Sequence, residues 1–317
     1  MIVEKSAVNV KELTKNVPAK RPIKQKKYGG TALTGWLFVI PATLLITLFV
    51  FYPMLQSFIL SQKTGAGTNL QWNWWTNYTR MFSDTLFYKS IINTFIYLIV
   101  QVPVMIVLAM FIAVLLNGKK LVGKSFFRTA IFLPCVTSLV SYSLIMKSIF
   151  ADNGIMNKFL GWFSVGPIHW FTDSFWSRVL IIISITWRWT GYNMIFFLSG
   201  LQNIDPSIYE AAELDGAGPV RTFFSITAPQ LKPIILFVAI TSTIGTLQLF
   251  DEVQNITQGG PANGTMTISQ YIYNTCFKYT PNFGYASAMS FVVMVFIILL
   301  SAVQFAIGGD KKDAVKD

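Results

Sequence analysis

The stretch Tyr209–Pro233 reads YEAAELDGAGPVRTFFSITAPQLKP. It is polar, punctuated by Gly and Pro, and dense in helix signals. The chain turns apolar on both sides of it, through MIFFLSGL before and IILFVAITSTIG after. A membrane helix needs about 20 mostly apolar residues, and each flank supplies that length. A polar island between two such flanks must lie outside the bilayer, and this decides the architecture: an all-α membrane protein with a folded insert.

Five further observations extend the reading. Of 317 residues, 53% are hydrophobic and only 12% charged, where soluble domains carry about 25% charged residues. Six stretches qualify as transmembrane helices: residues 35–60, 90–116, 127–150, 177–201, 232–250 and 285–307. Pro41, Pro53, Pro103 and Pro134 lie inside them and are expected to kink them. The segment 1–34 is basic, has no apolar core and is not expected to be a cleavable leader. The apolar block 35–307 is followed by a short tail, 308–317.

Orientation follows from Lys and Arg. With the N-terminus inside, seventeen fall on the cytoplasmic side and seven outside, with Arg188 inside the fourth stretch. The expected topology is six spans with both termini cytoplasmic. The net charge of +11 is thereby explained by topology, which removes nucleic acid as a partner. The run Lys20–Lys27 suits anionic headgroups of the lipid bilayer instead.

Several motifs lead nowhere. Residues 118–125, GKKLVGKS, satisfy the phosphate-loop pattern, but that motif needs a preceding strand and a nucleotide domain. Here about a dozen residues join two spans. Cys135 and Cys276 are far apart, and His169 has no cluster of Cys or acidic residues around it, so no metal site is expected. The sequons at Asn77, Asn255 and Asn263 fall on the outer side, and chance accounts for them as well as glycosylation does.

Within the insert, residues 203–231, Asp205-Pro206 is a helix start with Asp as N-cap and Pro at the first helical position. Gly216 ends that helix where a left-handed backbone suits Gly. Gly218-Pro219 begins a second helix, VRTFFSIT, expected to stop at Pro229. Ile208, Ala211, Ala212 and Asp215 share one face, and the two alanines let a partner approach closely. Val220, Phe223 and Phe224 form an apolar patch. From these residues alone, a helix pair lying on headgroups and a docking element for a soluble partner fit equally well.

Glu210-Ala211-Ala212, three residues, Gly216, nine residues, Ile226, one residue and Ala228-Pro229 resemble the EAA loop of ABC importer permeases, E-A-A-x3-G-x9-I-x-L-P. Ala228 departs from the usual Leu. Asp215-Gly216-Ala217, ITQGGPANGT at 256–265, YIY at 271–273 and FGYASAMS at 283–290 sharpen the resemblance to the carbohydrate-uptake, maltose-type branch, as do NYT at 77–79 and NT at 93–94. The resemblance runs from the first span to the last. It implies a bacterial plasma-membrane subunit paired with a second permease subunit and two cytoplasmic ATPase subunits. An extracytoplasmic solute-binding protein would deliver sugar, in this reading an oligosaccharide. ATP and Mg would reside in the ATPase subunits, and this chain would bind no cofactor and be no enzyme. Glu210, Ala211, Ala212, Asp215 and Gly216 map onto the coupling loop that meets the ATPase.

Polar residues inside spans are functional suspects. Span four carries Thr186, Trp187, Arg188, Trp189, Thr190, Tyr192 and Asn193. Span five carries Ser242, Thr243, Gly245, Thr246 and Gln248, with Ser242 and Thr246 on one face. Span three adds Thr137, Ser138 and Ser141. Neutral hydrogen-bonding groups and aromatic faces suit a sugar, so Trp187, Arg188, Trp189, Tyr192, Asn193, Ser242, Thr246 and Gln248 are the candidate pathway residues. Helix packing uses Ser, Thr and Gly as well. Arg188 is expected to pair with Asp251 or Glu252. The alternative is recognition of a charged or phosphorylated solute by Arg188. A proton-coupled carrier would need acidic or His residues in its spans, and a membrane enzyme a catalytic cluster. Neither is present in the sequence.

Overall fold

The computed structural model describes residues 29–65, 69–118 and 121–309. The basic segment before residue 29, the tail from 310, and Lys119 and Lys120 lie outside the described residues. The chain divides into two units at Met54 and Leu55.

In the first unit α1 spans Gly29–Ile46 and continues through a π-helical turn, Thr47–Phe51. The turn precedes Pro53, whose missing N–H and bulky ring disturb the ladder four residues upstream; the wider spacing absorbs that disturbance, with the Tyr52 N–H bonded to the Thr47 carbonyl. Pro41 sits inside α1. Side chains from Trp36 to Tyr52 are exposed all round the helix, as for a helix solvated by hydrocarbon. With α2, Tyr52–Ser61, the helix offers 27 residues, Gly35–Ser61, long and apolar enough to span a membrane.

The second unit departs first from an all-helical expectation. β1, Lys63–Thr64, pairs antiparallel with β2, Gln71–Trp72. The short helix α3, Thr76–Met81, follows. Asn77 on it donates to the Ser61 and Lys63 carbonyls and is buried, so it locks this corner and is not free to accept a glycan. α4 then runs 33 residues, Thr85–Asn117, capped by Asp84. GKKLVGKS joins this helix to α5, Lys124–Val136, whose N-cap is the left-handed Gly123. A phosphate loop connects a strand to a helix; this turn connects two helices.

The third expected span is not one helix. α5 and α6, Leu139–Ile149, meet at 102°. Thr137 and Ser138 both adopt extended ψ, and the Thr137 hydroxyl donates to the Pro134 carbonyl, a local bond that competes with helix continuation. After α7, Ile155–Gly161, α8 runs 29 residues, Ser174–Gln202, capped by Asp173.

The insert forms α9, Pro206–Leu214, and α10, Pro219–Thr222. Pro229 does not stop the second helix. A π-helical turn, Phe223–Thr227, leads into α11, Ala228–Gln230, and the break comes at Leu231, before α12, Lys232–Leu247. Pro233 is the cause, because it offers no N–H to the Pro229 carbonyl and its ring crowds that carbonyl. The two halves diverge by 67°. α13, Asp251–Ile256, α14, Ile268–Tyr273, a π-helical turn at Asn274–Lys278, and α15, Phe283–Gly308, complete the chain.

Among the described residues three helices are long and apolar enough to cross a membrane, and the two bent pairs raise this to five. α8 has the length but carries the polar TWRWTGYN run. The architecture is a mostly helical membrane fold. Its core is built on α4 against α8: Met105, Ala109 and Ala113 meet Met194, Phe197 and Leu201 in one buried cluster, and Tyr97 meets Ile181 and Ile185 in another. The small alanines let the two backbones approach, the usual device between membrane helices. A third cluster joins Phe87, Tyr271, Tyr285 and Met289.

Candidate functional site

α4, α8, α12 and α13 line an open cavity of about 390 Å³. Trp189, Tyr192, Asn193, Ser242, Thr246 and Gln248 line it, together with Gln101, Met105, Gly245, Asp251 and Glu252. Six of the eight candidate pathway residues therefore meet on one wall. The i, i+4 spacing of Ser242 and Thr246 puts both there, and no atom lies within 4 Å of where a Gly245 Cβ would be.

The wall is wired by short polar contacts. The Thr246 hydroxyl donates to Gln101 Oε1 at 3.3 Å. The Asn193 amide donates to the Trp189 carbonyl at 3.0 Å and to Met105 Sδ at 3.2 Å. Trp189 Nε1 donates to Glu252 Oε1 at 3.2 Å. Trp189, Tyr192 and Phe196 form an edge-to-face aromatic ladder. Thr243 turns away and accepts from Gln304 of α15, a packing role.

Trp187 and Arg188 do not line the cavity. Trp187 stacks on Tyr142 of α6, with ring centroids 5.9 Å apart. Arg188 is buried, and the expected pairing with Asp251 or Glu252 is not made. Its guanidinium lies over the Tyr142 ring at 5.1 Å and the Trp189 ring at 5.9 Å. Its Nε and Nη1 are buried with no hydrogen-bond partner. His169 Nδ1 lies 3.3 Å from Asp152 Oδ1 on the surface. The indole of Trp189 touches both groups: its N–H donates to the Glu252 carboxyl and its ring faces the Arg188 guanidinium.

Sequence reasoning passed over Gln101. A Gln within the apolar run IVQVPVMIVL was the available signal. It also missed how residues 256–267 are held. Lys89 Nζ donates to the Ala262 carbonyl, the Asn93 amide to those of Asn263 and Met266, Tyr97 Oη to that of Thr265, and Arg178 Nε to that of Gly264. Gln258, Ala262 and Asn263 have positive φ, so this loop holds several left-handed residues against α4 and α8.

At the insert, Asp205 caps α9 through the Ser207 N–H, which holds its carboxyl below the usual range. Ala217 N–H bonds to the Ala212 carbonyl and Gly216 N–H to that of Glu213, with Gly216 at φ +73°. That is a Schellman ending. Glu210, Ala211, Asp215 and Gly216 are exposed. Ala212 is buried, so the paired-alanine face is not presented to a partner: Ala211 alone is. Leu214, Val220 and Phe224 supply exposed apolar surface, with Phe223 half-buried beside Phe224.

Known proteins are similar to this chain in sequence and in fold. The chain is 51% identical over 286 residues to the lactose transport system permease protein LacF of Rhizobium radiobacter, covering 88% of this chain and 95% of that one. It is 31% identical to the arabinooligosaccharides transport system permease protein AraP of Halalkalibacterium halodurans, covering 89% and 90%. A crystal structure of a bacterial ABC transporter that imports the acidic polysaccharide alginate has a chain matching at TM-score 0.77 and 20% identity, over 88% of this chain and 96% of that one. That similarity speaks for the fold. The family described as binding-protein-dependent transport system inner membrane component matches residues 82–310, and the chain belongs to that family.

Proposed function

We propose that this chain is the permease subunit of an ATP-driven sugar importer that carries an oligosaccharide or disaccharide through the cavity between α4, α8 and α12. The observation that carries the reading is the 51% identity to a lactose permease over nearly the full length of both chains. The cavity agrees chemically. Trp and Tyr faces suit the C–H patches of a sugar ring, and Gln101, Asn193, Ser242, Thr246 and Gln248 offer neutral donors and acceptors. An anionic or phosphorylated solute loses its receptor, because Arg188 lies beneath aromatic rings. The charged residues on the wall are Asp251 and Glu252, both acidic.

In this reading the bent pairs and α8 complete six spans, with both termini cytoplasmic, supported by the seventeen-to-seven distribution of Lys and Arg. The insert 203–231 is the coupling element: Glu210, Ala211, Asp215 and Gly216 with Leu214 and Phe224 enter a cleft on an ATPase subunit. A second permease subunit supplies the opposite wall, two ATPase subunits hold ATP and Mg, and an extracytoplasmic binding protein delivers the sugar. The subunit resides in the bacterial plasma membrane.

The test is uptake of radiolabelled lactose, an arabino-oligosaccharide and a sugar phosphate by cells with and without this chain, its partner genes intact. Uptake of at least one neutral sugar that vanishes with the chain is expected. Loss of sugar phosphate uptake alone would overturn the reading.

A further inference from the structure

Glu252 is 5% exposed and Arg188 7%, yet the two form no ion pair. A buried carboxylate without a bridging cation is costly unless its hydrogen bonds are made. Here the indole of Trp189 intervenes. Its N–H is spent on Glu252 Oε1 at 3.2 Å, and its π system meets the Arg188 guanidinium at 5.9 Å, a cation–π distance. The three residues come from two elements, α8 and α13. Trp189 is 37% exposed and lies on the cavity wall. An indole otherwise turns broadly about χ2. This one is fixed at its edge by a charge-assisted hydrogen bond and at its face by a cation.

We propose that Glu252 is a positioning residue that sets Trp189 as a rigid platform for a sugar ring, with Arg188 completing the clamp. The proposal rests on the cavity being the sugar pathway. Stacking on a pyranose needs the indole plane held parallel to the sugar ring, because the ring's axial C–H groups point off its faces. The carboxylate earns its burial through the indole rather than through a salt bridge. The role asked of position 252 is hydrogen-bond acceptance, so an amide oxygen can fill it.

The experiment uses the complete transporter in proteoliposomes, its binding protein saturating, and reads the initial uptake rate of lactose, or of whichever neutral sugar the wild type carries. Glu252→Ala is expected to slow uptake about tenfold, the size of losing a hydrogen bond to a charged acceptor. Glu252→Gln is expected to stay within about twofold, since an uncharged acceptor retains much of such a bond. Trp189→Phe is expected to lose as much as Glu252→Ala, and the double variant no more than either, the non-additivity of residues acting as one unit. Ultraviolet resonance Raman difference spectra against Trp189→Phe isolate this indole; its N–H should report a weaker hydrogen bond in Glu252→Ala and a restored one in Glu252→Gln. Additive losses, full activity of Glu252→Ala, a Gln variant as slow as the Ala variant, or an unchanged indole signature would each overturn the proposal. If Glu252→Ala does not assemble, Glu252→Leu, which keeps the side chain's bulk and removes its acceptor, takes its place in the uptake and Raman comparisons, with the same expected and overturning results. A wild type that carries no sugar would overturn the pathway reading itself, a result distinct from all of these.

Discussion

Asp84 shows how much one residue does here. One carboxylate oxygen caps α4 through the Leu86 and Phe87 N–H groups, and the other accepts from the Tyr271 and Tyr285 hydroxyls, both at 2.6 Å. Burial pushes its pKa up, but these four donors outweigh burial and hold the carboxyl below its usual range. A depressed carboxylate contributes stability above its unfolded pKa, about 4, and loses it as pH falls through the lower folded value. The melting temperature of the purified protein should therefore drop below about pH 4, and Asp84→Asn should flatten that acid limb. Asp84→Ala should cost about 2 kcal/mol, the combined scale of a lost cap and orphaned hydroxyls. Gly191 makes a different demand. A Cβ there would run into the Ile131 carbonyl of α5, backbone that cannot swing aside. Gly191→Ala should lower thermal stability by about 1–3 kcal/mol, the scale of overpacking, while Gly245→Ala, with open space around it, should leave stability unchanged in the same melting assay.

At the scale of elements, the helix pair of the insert was legible because its signals are local. Asp205-Pro206 and Gly216 each act within one turn of backbone, and both operate as their chemistry dictates. What failed was non-local or cumulative. The stop assigned to Pro229 moved to Leu231 because the π-helical turn before it changes the hydrogen-bond count, and the carbonyl that matters is the one facing Pro233. The burial of Ala212 depends on packing that spacing does not reveal. The 102° bend in the third apolar stretch comes from two residues, Thr137 and Ser138, that a hydropathy window averages away. Within the site, neutral polar residues on α8 and α12 were legible from their periodicity, whereas the distance between Arg188 and Glu252 was not. Gly216→Val should strain a left-handed position by about 1–2 kcal/mol. Because no atom lies near a Cβ there, the cost is conformational and falls on the Schellman turn. Membrane insertion should be normal, while ATPase co-purification and uptake fall. Glu210→Lys, an exposed reversal of charge, should do the same. Full coupling by both variants would count against the insert as the ATPase contact.

At the scale of the molecule, the second unit is held from both ends of α4. Its inner length packs on α8 through small residues, and its first turns hold the loop 256–267 by side-chain donors. Asn93→Ala would leave the Asn263 and Met266 carbonyls without that amide. It should raise hydrogen exchange across 258–267 without changing exchange in α9. The same frame brings α12 and α13 to the cavity, so the wall and the insert are joined through α11 and α12. Under the proposed function, that connection is the mechanical route from the ATPase subunits to the sugar path. The most direct measurement is sugar accumulation by proteoliposomes holding the complete transporter and its binding protein, with ATP supplied on the side of the ATPase subunits. The account predicts uphill accumulation of a neutral sugar that requires ATP and the binding protein and is abolished by Gly216→Val. Accumulation without ATP, or undiminished accumulation by that variant, would contradict it.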